Sequence, residues 1–324
     1  MPEVAIQVPA TGPARWWGRF GGPAPAKRLI LAGGLILLVL VLLAMAAPML
    51  THMQVLREPD KLNLKGLDQD GMPLPPGGGY LLGTDSLGRD VLSRAIYGAR
   101  VSLTVGVAAM LTATVIGVTI GLLCGFFGGK VDLVLMRFTE IMMTIPSILL
   151  AMALGSLIGD QGRVIHLHPA ALPWHFLDFT LKRGLMSVTM VIGAVCWPGM
   201  VRVIRGQVLA MKEREFVLAA RALGASRRRL IWRHILPNIL PTVIVLAAMT
   251  TANTILLEAG LGYLGIGVPP PAPTWGSMIA DGQPYFAAAP YLVVVPGVAI
   301  VLTVLAFNLM GQGLQEWLNP KQRR

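Results

Sequence analysis

Six apolar stretches, each about 20 residues or longer, constrain this chain more than any other feature; they run roughly over 29–50, 101–128, 134–158, 185–205, 239–266 and 290–312. At 1.5 Å per residue, ~20 residues in a helix cross the ~30 Å hydrocarbon core of a bilayer. Barrel strands are excluded, because the runs are too long and lack period-2 alternation. Only 13% of the 324 residues are charged, about half the share of a soluble domain, so too little polar surface exists to cover a globule in water. The expected fold class is therefore all-α: a polytopic membrane protein with about six transmembrane helices.

Several of the runs carry a proline, among them Pro146, Pro198, Pro241 and Pro296, and each of these four is expected to mark a kink. Gly117, Gly121 and Gly125 recur every four residues in the second run, and Gly128 follows three residues on. That spacing puts them near one stripe and predicts close helix packing. Ala44-Met45-Ala46 resembles a signal-peptide cleavage site, but the run Leu29 to Leu50 has 22 residues, against about 7–15 in a signal core. A retained anchor helix is expected.

Lysine and arginine set the orientation. With the N-terminus in the cytoplasm, the inner segments 1–28, the turn at Lys130, 201–237 and 313–324 hold 17 basic residues, and the outer loops hold 9. Both termini are expected to be cytoplasmic. The net charge of +11 then belongs to membrane-side loops rather than to a nucleic-acid surface. The organisation that follows is a cytoplasmic segment 1–28, an anchor helix 29–50, an outer loop 51–100 containing an amphipathic helix, a helical domain 101–315 with five further spans, and a basic tail 316–324.

The loop MKEREFVLAARALGASRRRLIWRHILPNILP, residues 211–241, is the most informative segment. Lys212 to Leu223 reads as an amphipathic helix, with Phe216, Ala219, Ala220 and Leu223 on one apolar face. Gly224 permits a positive φ at its end, and Ser226 can cap a second helix. Two readings fit. One is a helix lying on lipid. The other is insertion into a protein groove, which suits a narrow face of two alanines and one large aromatic.

This loop resembles the cytoplasmic loop of ATP-binding-cassette (ABC) importer permeases, whose pattern is Glu-Ala-Ala, three residues, Gly, and a later Leu-Pro pair. Ala219-Ala220, Gly224 and Leu236-Pro237 match, while Leu218 occupies the acidic position and Glu215 lies one turn earlier. LLGTDSLGRDVLSRAIYGARVSL (81–103), GVPPPAPTWGSMIADG (267–282) and PGVAIVLTVLAFNLMGQGL (296–314) also resemble the dipeptide/oligopeptide/nickel permease family, over about residues 80–320. The likeness is to the second, C-type, permease of the pair. It implies a bacterial inner-membrane location and a second homologous permease subunit. It also implies two cytoplasmic ATP-binding subunits that hold ATP and Mg, and an extracytoplasmic solute-binding protein. No cofactor is expected in this chain. The coupling loop would be 206–237, with Glu215, Phe216, Ala219, Ala220, Arg221, Leu223, Gly224, Ala225 and Ser226 docking an ATPase. Trp275, read as an exposed aromatic in a Pro-rich outer loop, would contact the binding protein.

Ionisable residues inside spans are costly and mark candidate sites. Arg137 and Glu140 are spaced to pair and are expected to be a buried structural pair that fixes helix packing, with the solute path as the alternative for Glu140. Glu258 is a candidate for helix packing or for the solute path. Asp85 is expected to cap a helix in which Asp90 and Arg94 form an exposed pair. His166, His168 and His175 share one loop, and imidazole suits nickel; no carboxylate or cysteine completes a cage, so a solvated loop is expected. Catalytic signatures are missing: there is no G-x-x-x-x-G-K-[ST], H-E-x-x-H or G-x-S-x-G, and GFFGGK at 125–130 has the wrong spacing. The expected function is a non-catalytic permease subunit passing peptides. The alternatives are a nickel or glutathione-type permease of the same family, or an ATP-independent secondary transporter or channel.

Overall fold

A computed structural model describes residues 24–158, 163–166, 178–181 and 184–318. Its helices are α1 (Ala24–His52), α2 (Val91–Phe127), α3 (Gly129–Thr144), α4 (Ser147–Ser156), α5 (Leu185–Cys196), α6 (Pro198–Lys212), α7 (Glu215–Ala222), α8 (Arg227–Arg229), α9 (Leu236–Tyr263), α10 (Trp275–Gly282) and α11 (Tyr291–Leu318). A π-helical turn, Leu230–Ile235, joins α8 to α9. Four continuous helical runs are long and apolar enough to cross a membrane, and two bent pairs bring the total to six. Outside the helices, β1 (Arg163–His166) pairs antiparallel with β2 (Asp178–Leu181), in the register Arg163 to Leu181. The all-α bundle thus carries one small hairpin that apolar periodicity did not announce.

The prolines act differently from one another. Pro146 stands at the N-cap of α4, and α3 and α4 meet at 91°. Ile145 is extended, at φ −89° and ψ 127°, as the residue before a proline must be when the ring excludes the α region. Pro198 opens α6, which departs from α5 by 47°. Pro241 and Pro296 instead lie inside unbroken helices. The expectation of four equivalent kinks therefore gives way to one break and one bend.

The second span begins ten residues before the apolar run does. α2 starts at Val91 and continues for 37 residues, so the expected amphipathic outer helix and the span are one helix. Its cap is Asp90, whose carboxylate accepts from the Ser93 amide at 2.9 Å. Asp85, expected in that role, instead organises the preceding turn by accepting from the amides of Leu87 and Arg89.

α2 is the central element, packed against α1, α3, α5, α6, α9, α10 and α11. Its glycine stripe makes a close contact with α6. A Cβ on Gly117, Gly121 or Gly125 would stand 2.8, 2.8 or 2.6 Å from Met200, Ile204 or Val208 of α6. Apolar side chains gain nothing by leaving lipid for one another, so such van der Waals contact must supply the attraction. Gly128 is outside the stripe: it terminates α2 at φ 64° and meets no neighbour.

Candidate functional site

One end of the bundle is organised around α7. α6 stops at Lys212, and the chain turns at Glu213 and Arg214 before α7 starts at Glu215. The expected helix from Lys212 is thus two helices. The C-terminus of α7 closes in a Schellman arrangement: the Ala225 amide donates to the Ala220 carbonyl and the Gly224 amide to the Arg221 carbonyl, both at 3.0 Å. Gly224 has φ 81°, the left-handed geometry that this closure requires. Ser226 then caps α8 by accepting from the Arg229 amide at 3.3 Å.

The expected apolar face divides into two. Val217 is buried, and with half-buried Ala220 and Ala225 it packs against Val208, Leu230, Ile235 and Ile239. Phe216 and Leu223 are 43% and 88% exposed, and Ala219 lies exposed between them. Glu215, Arg221 and Ser226 are exposed as well. Ala220 therefore holds α7 to its own chain, while Phe216, Ala219 and Leu223, at i, i+3 and i+7, form a free stripe. Val217 was missed by the sequence reading, although its spacing of three from Ala220 carries the signal.

A second residue pair was also missed. Arg205 of α6 donates to both carboxylate oxygens of Asp132 in α3, at 2.5 and 2.6 Å. A bidentate pair fixes orientation as well as distance. α6 leads directly into α7, so this clamp sets where α7 stands relative to the bent α3–α4 span.

The opposite end is built around a tryptophan. Trp275 is the first residue of α10, is 0% exposed, and donates its indole N–H to the Ala95 carbonyl at 3.0 Å. Its ring lies against Gly98 of α2. The expectation of an exposed Trp275 that touches a binding protein is overturned: the indole is an internal anchor of α10 on α2. The Pro-rich loop leads the chain back into the bundle, and the glycine leaves room for the ring.

Arginines cross-link the same end. Arg94, 5% exposed, approaches Asp85 at 3.3 Å, Asp281 of α10 at 3.6 Å and Asp60 at 3.8 Å. Arg89 pairs with Asp85 at 2.7 Å. Burial holds the Asp281 carboxyl above its ordinary range, against the pull of Arg94 and Arg89. The expected exposed Asp90–Arg94 pair does not form, because both residues are buried and Arg94 turns to three other carboxylates.

The remaining ionisable candidates separate. Arg137 donates to Glu140 at 3.0 Å, with side chains 76% and 47% exposed; the expected burial of this pair is corrected, since the described residues leave that face of α3 uncovered. Glu258 is fully buried, and neither carboxylate oxygen makes a hydrogen bond. The hydroxyls of Ser102 and Thr274 lie beside it. Glu258 lies buried on α9, beside Ser102 of α2 and Thr274 at the start of α10. Among the described residues no group of three or more His, Cys, Asp or Glu could hold a metal ion. His168 and His175 lie outside the described residues, and for His166 only the backbone is described.

Comparison with known proteins bears on the whole chain. Residues 117–324 match the family described as "Binding-protein-dependent transport system inner membrane component". The dipeptide transport system permease protein DppC of Alkalihalophilus pseudofirmus is 35% identical over 92% of this chain and 87% of its own length. The glutathione transport system permease protein GsiD of Pectobacterium atrosepticum is 33% identical over 99% of this chain and 95% of its own. Among solved structures, a chain of the MetNI methionine ABC transporter in an inward-facing conformation is similar in fold, with a TM-score of 0.51 and 17% identity. That match covers 68% of this chain and 93% of the other.

Proposed function

This chain belongs to the family of binding-protein-dependent transport system inner membrane components, and from that premise we propose that it is one permease subunit of a bacterial ABC importer for short peptides. A second, homologous permease completes the pathway, and solute passes between the two. ATP and Mg are bound by two cytoplasmic ATPase subunits, and an extracytoplasmic binding protein delivers the peptide. The names of the relatives, a dipeptide and a glutathione system, support a short peptide as the solute.

The observation that carries this reading is the free stripe of α7. Phe216, Ala219 and Leu223 stand exposed on a short helix whose other face, Val217 and Ala220, is locked to the bundle. Such a helix can take up a push from a partner and pass it to α6 through the turn at Glu213 and Arg214. Alanine at the centre of the stripe lets a partner surface approach closely. The excess of basic residues on this side supports a cytoplasmic α7, where ATPase subunits would meet it.

The test is reconstitution of the permease pair with its ATPases and binding protein. Peptide uptake driven by ATP, and abolished by omission of the binding protein, is the expected result. Uptake that continues without ATPase subunits would overturn the reading in favour of a secondary transporter.

A further inference from the structure

Where the chain enters the helical run that continues into α9 lies an open groove of about 530 Å³ lined by Ser226, Arg228, Arg229, Trp232 and Arg233. Arg227 is exposed on the same turn. The segment from Arg227 to Arg233 thus carries four guanidinium groups and no carboxylate. Among the described residues none of the four forms an ion pair. Trp232 rises from the groove with 63% of its surface exposed.

Its position narrows what could fill it. Arg227–Tyr263 is one continuous helical run long and apolar enough to cross a membrane, and the groove sits at the first two turns of that run. A membrane-spanning helix begins at the headgroup level, where tryptophan is favoured because one edge of the ring is apolar and the other polar. Guanidinium is the side chain best matched to phosphate oxygens, through paired N–H donors. The π-helical turn adds to the arrangement. The Leu236 amide reaches back to the Ile231 carbonyl, and this wider turn re-aims Trp232 and Arg233 relative to a regular helix.

We propose that this groove binds the headgroup of an anionic phospholipid, with Arg228, Arg229 and Arg233 on the phosphate and Trp232 against the acyl–headgroup boundary. The bound lipid pins the base of α9 to the membrane surface while α7 remains free to meet its partner. The proposal needs only that the chain is embedded in a membrane, so it stands or falls apart from the docking of an ATPase.

The experiment uses the full chain purified in mild detergent, with co-purifying lipids quantified by mass spectrometry. Retained phosphatidylglycerol should fall about fivefold or more in R228Q/R229Q/R233Q, as expected when several surface cations are removed, while phosphatidylethanolamine is unchanged. Lys130→Gln, an exposed cation at the same end of the bundle, should leave both unchanged. Inorganic phosphate should not displace the lipid; displacement would show a free-phosphate site and overturn the proposal. Unchanged phosphatidylglycerol in the triple variant with lost ATPase association would overturn it too, and assign the arginines to a protein partner. A second measurement avoids any arginine variant. Brominated phosphatidylglycerol in nanodiscs should quench a fluorescence component that Trp232→Phe removes, and brominated phosphatidylcholine should quench that component less. Equal quenching by the two lipids would exclude a headgroup-specific site.

Discussion

Single residues in this protein are constrained by three different kinds of physics. At Gly121 the constraint is space: a side chain would meet Ile204 at 2.8 Å. Gly121→Leu should cost about 1–3 kcal/mol through overpacking, read as a lower melting temperature of the detergent-solubilised chain. At Gly224 the constraint is backbone conformation, since φ is 81° and no neighbour stands near the missing Cβ. Gly224→Val should therefore cost only about 1–2 kcal/mol in stability. Uptake should suffer more than stability, because the turn aims α7. Hydrolysis and uptake measured on the same reconstituted sample would separate these effects. At Glu258 the constraint is desolvation. Glu258→Gln keeps shape and removes the carboxylate, so folded yield should hold. Glu258→Lys forces a longer cation into a site with no carboxylate beside it and should cost about 3 kcal/mol or more. Equal folded yields for the Gln and Lys variants would show that the site is wet or mobile.

At the scale of the element, α7 is divided between two tasks, and substitutions should separate them. Phe216→Glu or Ala219→Asp puts charge on the free stripe, so ATPase association should weaken about tenfold or more with no change in melting temperature. Val217→Asp buries charge in the bundle and should lower stability by about 2–4 kcal/mol. Ala220→Asp belongs with Val217, since Ala220 packs against its own chain. Pull-down by the ATPase and thermal melts of the same four variants decide between the assignments. The Asp132–Arg205 clamp is partly exposed, at 20% and 32%, so either single neutralisation should cost only about 1 kcal/mol. Its weight lies in geometry. Asp132→Arg combined with Arg205→Asp should restore part of the uptake lost by either alone, and no recovery would show that the pair does not set the position of α6.

At the scale of the whole molecule, the two ends of the bundle differ in kind. The end bearing α7 exposes its functional residues. The other end is cross-linked, with Trp275 buried against α2 and Arg94 joined to carboxylates before α2 and on α10. A cross-linked cap over one end and an exposed helix face at the other suit a protein whose spans move when pushed from the side of α7. If each bent pair is one span, an even number of spans together with the basic bias predicts that both termini are cytoplasmic. Cysteines introduced at positions 5 and 320 should therefore resist impermeant reagents in intact cells and react after lysis. Labelling of either from outside would reverse the orientation and remove α7 from the reach of any cytoplasmic ATPase.

Spans were legible in the sequence because burial in lipid is a property of composition: ~20 apolar residues in a row have few other stable environments. The turn at Gly224 and the cap at Ser226 belong to the same local class, whereas the cap of α2, expected at Asp85, is Asp90, because the turn between them had to be known to choose. Facing was another matter. Whether Ala220 or Ala219 points outward depends on where α6 and α9 stand, and periodicity of eight residues defines an apolar side but not its neighbour. Trp275 and Arg94 were misplaced for the same reason, since a loop rich in proline reads as exposed until the helix it packs against is known. Asp132 and Arg205 are 73 residues apart, and only the packing of α3 on α6 brings them together. Composition and local stereochemistry decided what this chain is. Long-range packing decided which of its residues are free to act.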